Sequence, residues 1–70
     1  MKTIGQIIKE KREAMGWSQK TLAETIGVTG AGVSAWELDK VTPNILTACD
    51  LADAFDCTLD ELCGRERTKK

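Results

Sequence analysis

Residues able to carry out chemistry are scarce in this chain, and their spacing argues against catalysis. There is no histidine. The three cysteines, Cys49, Cys57 and Cys63, are separated by eight and six positions. That pattern fits no zinc site, and no imidazole is present to complete one. An odd number also makes poor material for a disulfide framework, so the thiols read as small, buried or half-buried apolar residues. Asp50, Asp53 and Asp60 supply carboxylates, but an acidic helix face is ordinarily just solvated. Gly30-Ala31-Gly32 resembles a phosphate loop only in composition, because no strand precedes it. No serine or cysteine stands beside a base in a recognisable spacing. An enzyme is therefore not expected, and neither a catalytic residue, a metal nor a cofactor is assigned.

The remaining polar residues have a different use, which is to start helices. Thr3, Ser18 and Thr29 each precede an apolar-periodic run and can accept the free N–H groups of a first turn. Thr58-Leu59-Asp60-Glu61 is a capping box. Thr42-Pro43-Asn44 opens a fourth helix, either with Asn44 as the cap or with Pro43 in the first turn. Gly16, Gly27 and Gly64 are helix stops, and Asp39 sits where the chain must reverse. Between these marks the apolar residues recur at helical spacing. Ile4, Ile7, Ile8 and Met15 form one stripe, Leu22, Ala23 and Ile26 the next. Val33 and Trp36 face inward from a third helix ending near Glu37. Ile45, Ala48, Leu51, Ala52 and Phe55 form the buried stripe of the fourth, and Leu59 and Leu62 that of the fifth.

Seventy residues, 41% hydrophobic and 30% charged, make one ordinary globular domain. Almost no alternating β pattern is present. The expected fold class is all-α, a compact bundle of five short helices. No apolar run approaches the ~20 residues of a membrane span, and the N-terminus lacks the apolar core of a secretory signal, so a cytoplasmic location is expected. The formal net charge of −1 is unusual for a partner of polyanions. Its distribution is more informative. Residues 1–40 carry six Lys/Arg against five Asp/Glu, whereas residues 41–64 carry five acids and no base. Residues 65–70 carry four bases and one acid and read as a charged flexible tail. An acidic block between basic ends suggests one face turned away from any polyanion.

The second and third helices are joined by only three or four residues, with Gly27 first and apolar Val28 next. This is the signature of two helices crossing steeply about a tight turn, and Ala23 gives them a small contact point. At this juncture the residues resemble a family. Gln19, Leu22, Ala23, Gly27, Val28, Val33, Ser34, Trp36 and Glu37 match, in spacing, the Cro/CI-type helix-turn-helix proteins, also called the xenobiotic-response-element (XRE) family. Ile4-Gly5, Arg12, Pro43, Ala52 and Leu59-Asp60-Glu61-Leu62 extend the likeness over residues 3–64.

The resemblance implies a lambda-repressor-like DNA-binding domain over residues 1–64. Its third helix would enter the DNA major groove while the second crosses above the backbone. It implies a sequence-dependent transcriptional regulator of bacterial or phage type, acting as a repressor. Such a protein binds double-stranded DNA as a homodimer on a palindromic operator. Carried over by position, Gln19 contacts the DNA backbone or an adjacent base, and Ser18 caps the second helix and reaches a phosphate. Thr29, Gly30, Ala31, Gly32 and Ala35 read or flank base edges, while Ser34 and Lys40 meet the backbone. Arg12 and Glu37 match a structural ion pair between the first and third helices. A homodimer would use the fifth helix, the end of the fourth, or the tail.

Three departures stand out. Relatives often place Gln, Arg, Lys or Ser where this chain has Gly30, Ala31, Gly32 and Ala35, and glycine cannot make paired hydrogen bonds to bases. Three readings are open. The glycines let the helix N-terminus approach DNA closely, with selectivity from shape. Alternatively, base contacts come from Lys40 or the tail. Alternatively, the chain is a protein-interaction module of antitoxin or antirepressor kind that has lost DNA binding. Asp39 is the second departure, standing where many relatives have glycine, although Asp tolerates positive φ better than most residues. Trp17 replaces a smaller apolar residue, as a lid over the end of the first helix or as an anchor at a subunit contact.

Overall fold

The computed structural model describes residues 2–62, so Cys63, Gly64 and the charged tail lie outside the described residues. All regular structure among them is helical: α1 (Ile4–Ala14), α2 (Gln19–Ile26), α3 (Gly30–Glu37), α4 (Ile45–Phe55) and α5 (Leu59–Leu62). Each start is locally encoded. The hydroxyl of Thr3 accepts the Gln6 N–H, and the Gln6 side chain accepts the Thr3 N–H in return. Ser18 and Thr29 cap α2 and α3 through Thr21 and Gly32. Asn44 caps α4 through the Thr47 N–H, which leaves Pro43 before the helix and not in its first turn. Thr58 and Glu61 form the reciprocal box of α5.

The stops share one geometry. Gly16, Gly27, Asp39 and Asp56 all have φ between 55° and 79°. After each, the next N–H turns back to the carbonyl five residues earlier: Trp17 to Arg12, Val28 to Ala23, Lys40 to Ala35 and Cys57 to Ala52. This satisfies carbonyls that a helix end would otherwise leave bare. Asp56 was not expected in this role, since the sequence carries no glycine there.

The core gathers Ile7, Ile8, Leu22, Ala23, Val33, Trp36, Ala48, Leu51, Ala52, Phe55 and Leu62 from all five helices. Ile4, Ile26 and Leu59, also expected inside, are half-buried against it, and two further expected members lie outside. Met15 is 46% exposed, because α1 has already ended and Trp17, after the reversal at Gly16, closes that end of the core. Trp17 lies with its ring centroid 6.1 Å from that of Phe55, so the lid reading holds. Ile45 is 67% exposed, being the first residue of α4, whose turn projects beyond the core while Pro43 is buried. Cys49 and Cys57 are half-buried free thiols. Burial pushes the Cys57 thiol above its ordinary value.

Candidate nucleic-acid interface

The site is a presentation device built around α3. Its C-terminal end is fixed by Glu37, whose side chain is only 5% exposed. Arg12 of α1 approaches this carboxylate in a fork, with Nε donating to Oε2 at 2.6 Å and Nη2 to Oε1 at 3.1 Å. The third guanidinium nitrogen, Nη1, donates to the Trp17 carbonyl at 2.8 Å. Gln19 Nε2 donates to Glu37 Oε1 at 3.1 Å, bringing in the first residue of α2. One carboxylate thus ties three helices together, and its hydrogen bonds hold the Arg12 guanidinium charged, above its ordinary value.

A second clamp sits just past the helix. Asp39 turns its carboxylate towards the start of α1, accepting the Gly5 N–H at Oδ1 (3.2 Å) and the Thr3 hydroxyl at Oδ2 (2.7 Å). An acid at a helix N-terminus is favoured by the free N–H groups and the dipole there. The approach is so close that a Cβ on Gly5 would overlap the Trp36 carbonyl oxygen and lie 2.6 Å from Asp39 Oδ1. Gly5 is required because two backbones meet. This contact spans 34 to 36 positions, and the sequence carried no signal for it beyond the turn propensity of Asp39.

The other end of α3 is open. The Thr29 hydroxyl accepts the Gly32 N–H at 3.1 Å, and Thr29 and Ala31 are exposed. A Cβ on Gly30 would meet nothing within 4 Å, and one on Gly32 only the Thr29 hydroxyl at 3.4 Å, an ordinary contact. Neither residue has positive φ. The fold therefore makes no demand for glycine at either position, although glycine inside a helix costs roughly 1 kcal/mol relative to alanine. What the two glycines provide is bare backbone at the positive end of a helix.

Around this end, Ser18 is exposed, with its Oγ accepting the Thr21 N–H at 3.0 Å. Gly30, Gly32, Ser34 and Ala35 are half-buried, and Lys40 is exposed beyond the helix. Gln19 is half-buried and held on Glu37, a link the sequence did not reveal because it depends on how α2 crosses α3. Among the described residues no cluster of three or more His, Cys, Asp or Glu side chains is placed to hold a metal ion. No helix among them is long and apolar enough to cross a membrane.

Gly27-Val28-Thr29 joins α2 to α3, and residues 8–62, which include both helices, match the helix-turn-helix family. The chain belongs to the helix-turn-helix family. Helix-turn-helix relatives include the transcriptional regulator AnsR of Bacillus subtilis, 33% identical over 90% of this chain and 54% of AnsR. A second regulator of that bacterium, YgzD, is 36% identical over 79% of this chain and 83% of its own length. This chain thus spans about half the length of AnsR. Among solved structures, the P22 c2 repressor in complex with a synthetic operator superposes with a TM-score of 0.89. The sequences are 26% identical, and the match covers 94% of this chain and all of that one. The all-α fold and the Cro/CI-type resemblance read from the sequence are borne out.

Proposed function

We propose that this chain is a DNA-binding transcriptional regulator of repressor type, with no enzymatic activity, working in the cytoplasm as a homodimer on a palindromic operator. Residues 1–64 form the DNA-binding domain, and residues 65–70 a charged tail. The third helix lies in the major groove. Thr29, Gly30, Ala31, Gly32 and Ala35 face or flank the base edges, Gln19 lies at the crossing of α2, and Ser18, Ser34 and Lys40 meet phosphates. The observation that carries this reading is the bare first turn of α3: two glycines the fold does not need, at the end where helix N–H groups favour an anion. Of the three readings of those glycines, close approach with selectivity from DNA shape is therefore favoured. The relatives' names, as transcriptional regulators, and the operator-bound P22 c2 repressor support it.

The test is selection of bound duplexes from a random pool at low and moderate salt. Enrichment of an inverted repeat, with affinity falling steeply as salt rises, is expected. A folded protein that enriches nothing and shows no salt-sensitive binding would sink the proposal and leave the protein-interaction module as the better reading.

A further inference from the structure

Most acidic side chains among the described residues already have a partner. Glu10 pairs with Lys2, and Glu13 and Glu37 lie against Arg12. Asp39 accepts from Thr3 and Gly5, and Glu61 is bonded to Thr58. Asp60 is partnered as well. Asp50 and Asp53 have no hydrogen bond or ion pair among the described residues, and both are exposed. They stand one turn apart on α4, a spacing at which like charges on a helix repel. With Thr25, Ile26 and Ala54 they line an open groove of about 380 Å³ between the end of α2 and the middle of α4. Ile26 and Ala54 are half-buried and supply apolar surface, while the Thr25 hydroxyl is turned back to its own helix, donating to the Thr21 carbonyl at 2.8 Å. Apolar surface edged by two carboxylates suits a long cationic side chain, whose methylenes cover the one while its head group meets the other.

We propose that this groove is the docking site of the chain's own basic tail, residues 65–70. Two observations point to that occupant. The first is charge. Residues 41–64 carry five acids and no base, and the tail carries Arg65, Arg67, Lys69 and Lys70 against Glu66. No other six-residue stretch of the chain holds as many bases.

The second observation is reach. α5 packs against α4, and the described residues end with it at Leu62. Arg67 and Lys70 lie five and eight residues further on, spans of at most ~17 and ~28 Å. Asp50 lies about 8 Å along α4 from Phe55, and half the circumference of a helix with its side chains is about 15–19 Å. Even a groove on the far side of α4 from α5 is thus within reach of Lys69 and Lys70. A single exposed ion pair is weak and is screened by salt, but bases tethered to the same domain meet the two acids at an effective concentration of about millimolar. The docking is therefore an intramolecular contact that salt releases. It does not depend on the DNA-binding function proposed above and is tested without DNA.

The test follows the backbone amides of the isotope-labelled full chain by NMR at ~0.01 M and ~1 M salt, where the screening length is ~30 and ~3 Å. The variants are Asp50→Asn/Asp53→Asn in the groove, Arg67→Gln/Lys69→Gln/Lys70→Gln in the tail, and Asp56→Asn just past α4 as a control. Asp50 and Asp53 are exposed, so amides there keep the fold; thermal melts check this. In the parent at low salt, the heteronuclear NOE values of residues 67–70 should be raised towards those of the helices and fall at high salt. The Ile26 and Ala54 amide signals should shift over the same salt change. Both effects should be lost in the groove and tail variants and kept in the control. Low values for residues 67–70 in the parent at low salt, or values unchanged by Asp50→Asn/Asp53→Asn, overturn the proposal. An equal loss in Asp56→Asn overturns the assignment to this groove. Effects that grow with protein concentration put the tail on a second copy and overturn docking within one chain.

Discussion

Replacing Gly32 with alanine is expected to separate folding from the DNA binding proposed above. The residue lies in the first turn of α3 with helical backbone, and an added Cβ would touch only the Thr29 hydroxyl at 3.4 Å. Alanine there restricts the unfolded chain and strains nothing in the folded one, so stability should rise by about 0.5–1 kcal/mol. For a domain of this size that is an upward shift of about 2–8 °C in the melting temperature. Gly30→Ala, at the first helical position, should add a few tenths of a kcal/mol at most, since its Cβ meets nothing. If bare backbone is there to meet DNA, the same change must weaken binding. A methyl group held against a phosphate or base edge forces the helix outward and weakens several contacts together. We expect affinity for the selected operator to fall about tenfold or more, equivalent to about 1.4 kcal/mol. Paired thermal melts and fluorescence-anisotropy titrations read both quantities on one preparation. A Gly32→Ala protein that is more stable and binds as tightly as the parent would refute the close-approach argument. One that is less stable would refute the steric reading itself.

Other consequences follow from the clamps. Glu37→Ala leaves Arg12 without its carboxylate at a site where the two side chains are 11% and 5% exposed; a loss of about 3–5 kcal/mol is expected in urea unfolding. A double change to apolar residues of similar volume should cost much less, and equal losses would contradict the assignment of the cost to an unpaired charge. Gly5→Ala forces α1 away from the Trp36 carbonyl, with a loss of about 1–3 kcal/mol or more; an unchanged melting temperature would show that the two helices are not in backbone contact. Hydrogen bonds from the Thr58 backbone and hydroxyl hold the Glu61 carboxyl below its ordinary value. A carboxyl lowered in this way adds stability above its unfolded pKa, and that contribution fades as pH falls through the folded value. The Thr58 amide signal in an NMR pH titration should therefore move below the usual glutamate range, and a midpoint at or above that range would contradict the bond.

What the sequence made legible was local. Thr3, Ser18, Thr29 and Thr58 cap because their hydroxyls reach an N–H three residues on, a distance the sequence displays directly. Gly16 and Gly27 stop helices because positive φ suits glycine. Asp56 does the same work without that signal and went unread. Periodicity gives the direction of a stripe but not the place where the core ends, which is why Ile45 and Met15 were expected inside and lie outside. The α2–α3 pair was legible from Gly27, Val28 and Ala23. The Gln19–Glu37 bond and the Asp39–Gly5 clamp were not, because each joins residues that only the finished packing brings together. The openness of Gly30 and Gly32 is likewise a property of neighbours. From sequence three readings of the glycines stayed open, and only their surroundings show that packing does not require glycine at either position.

The fastening of α3 at Glu37 bears on how the two molecules share the work of fitting one another. A helix held from α1 and α2 by one carboxylate, and from the start of α1 by Asp39, has little freedom to tilt or slide on its support. A stiff reader loses little conformational entropy on docking, but it cannot adjust to a groove of the wrong width. On the DNA-binding function proposed above, the adjustment would then fall to the duplex. Sequences whose base steps bend or narrow readily would meet the protein at low elastic cost, and stiffer ones would be rejected even where no side chain touches them. Selectivity in such a pair would be a mechanical property of the DNA, measured by a protein that acts as a fixed gauge.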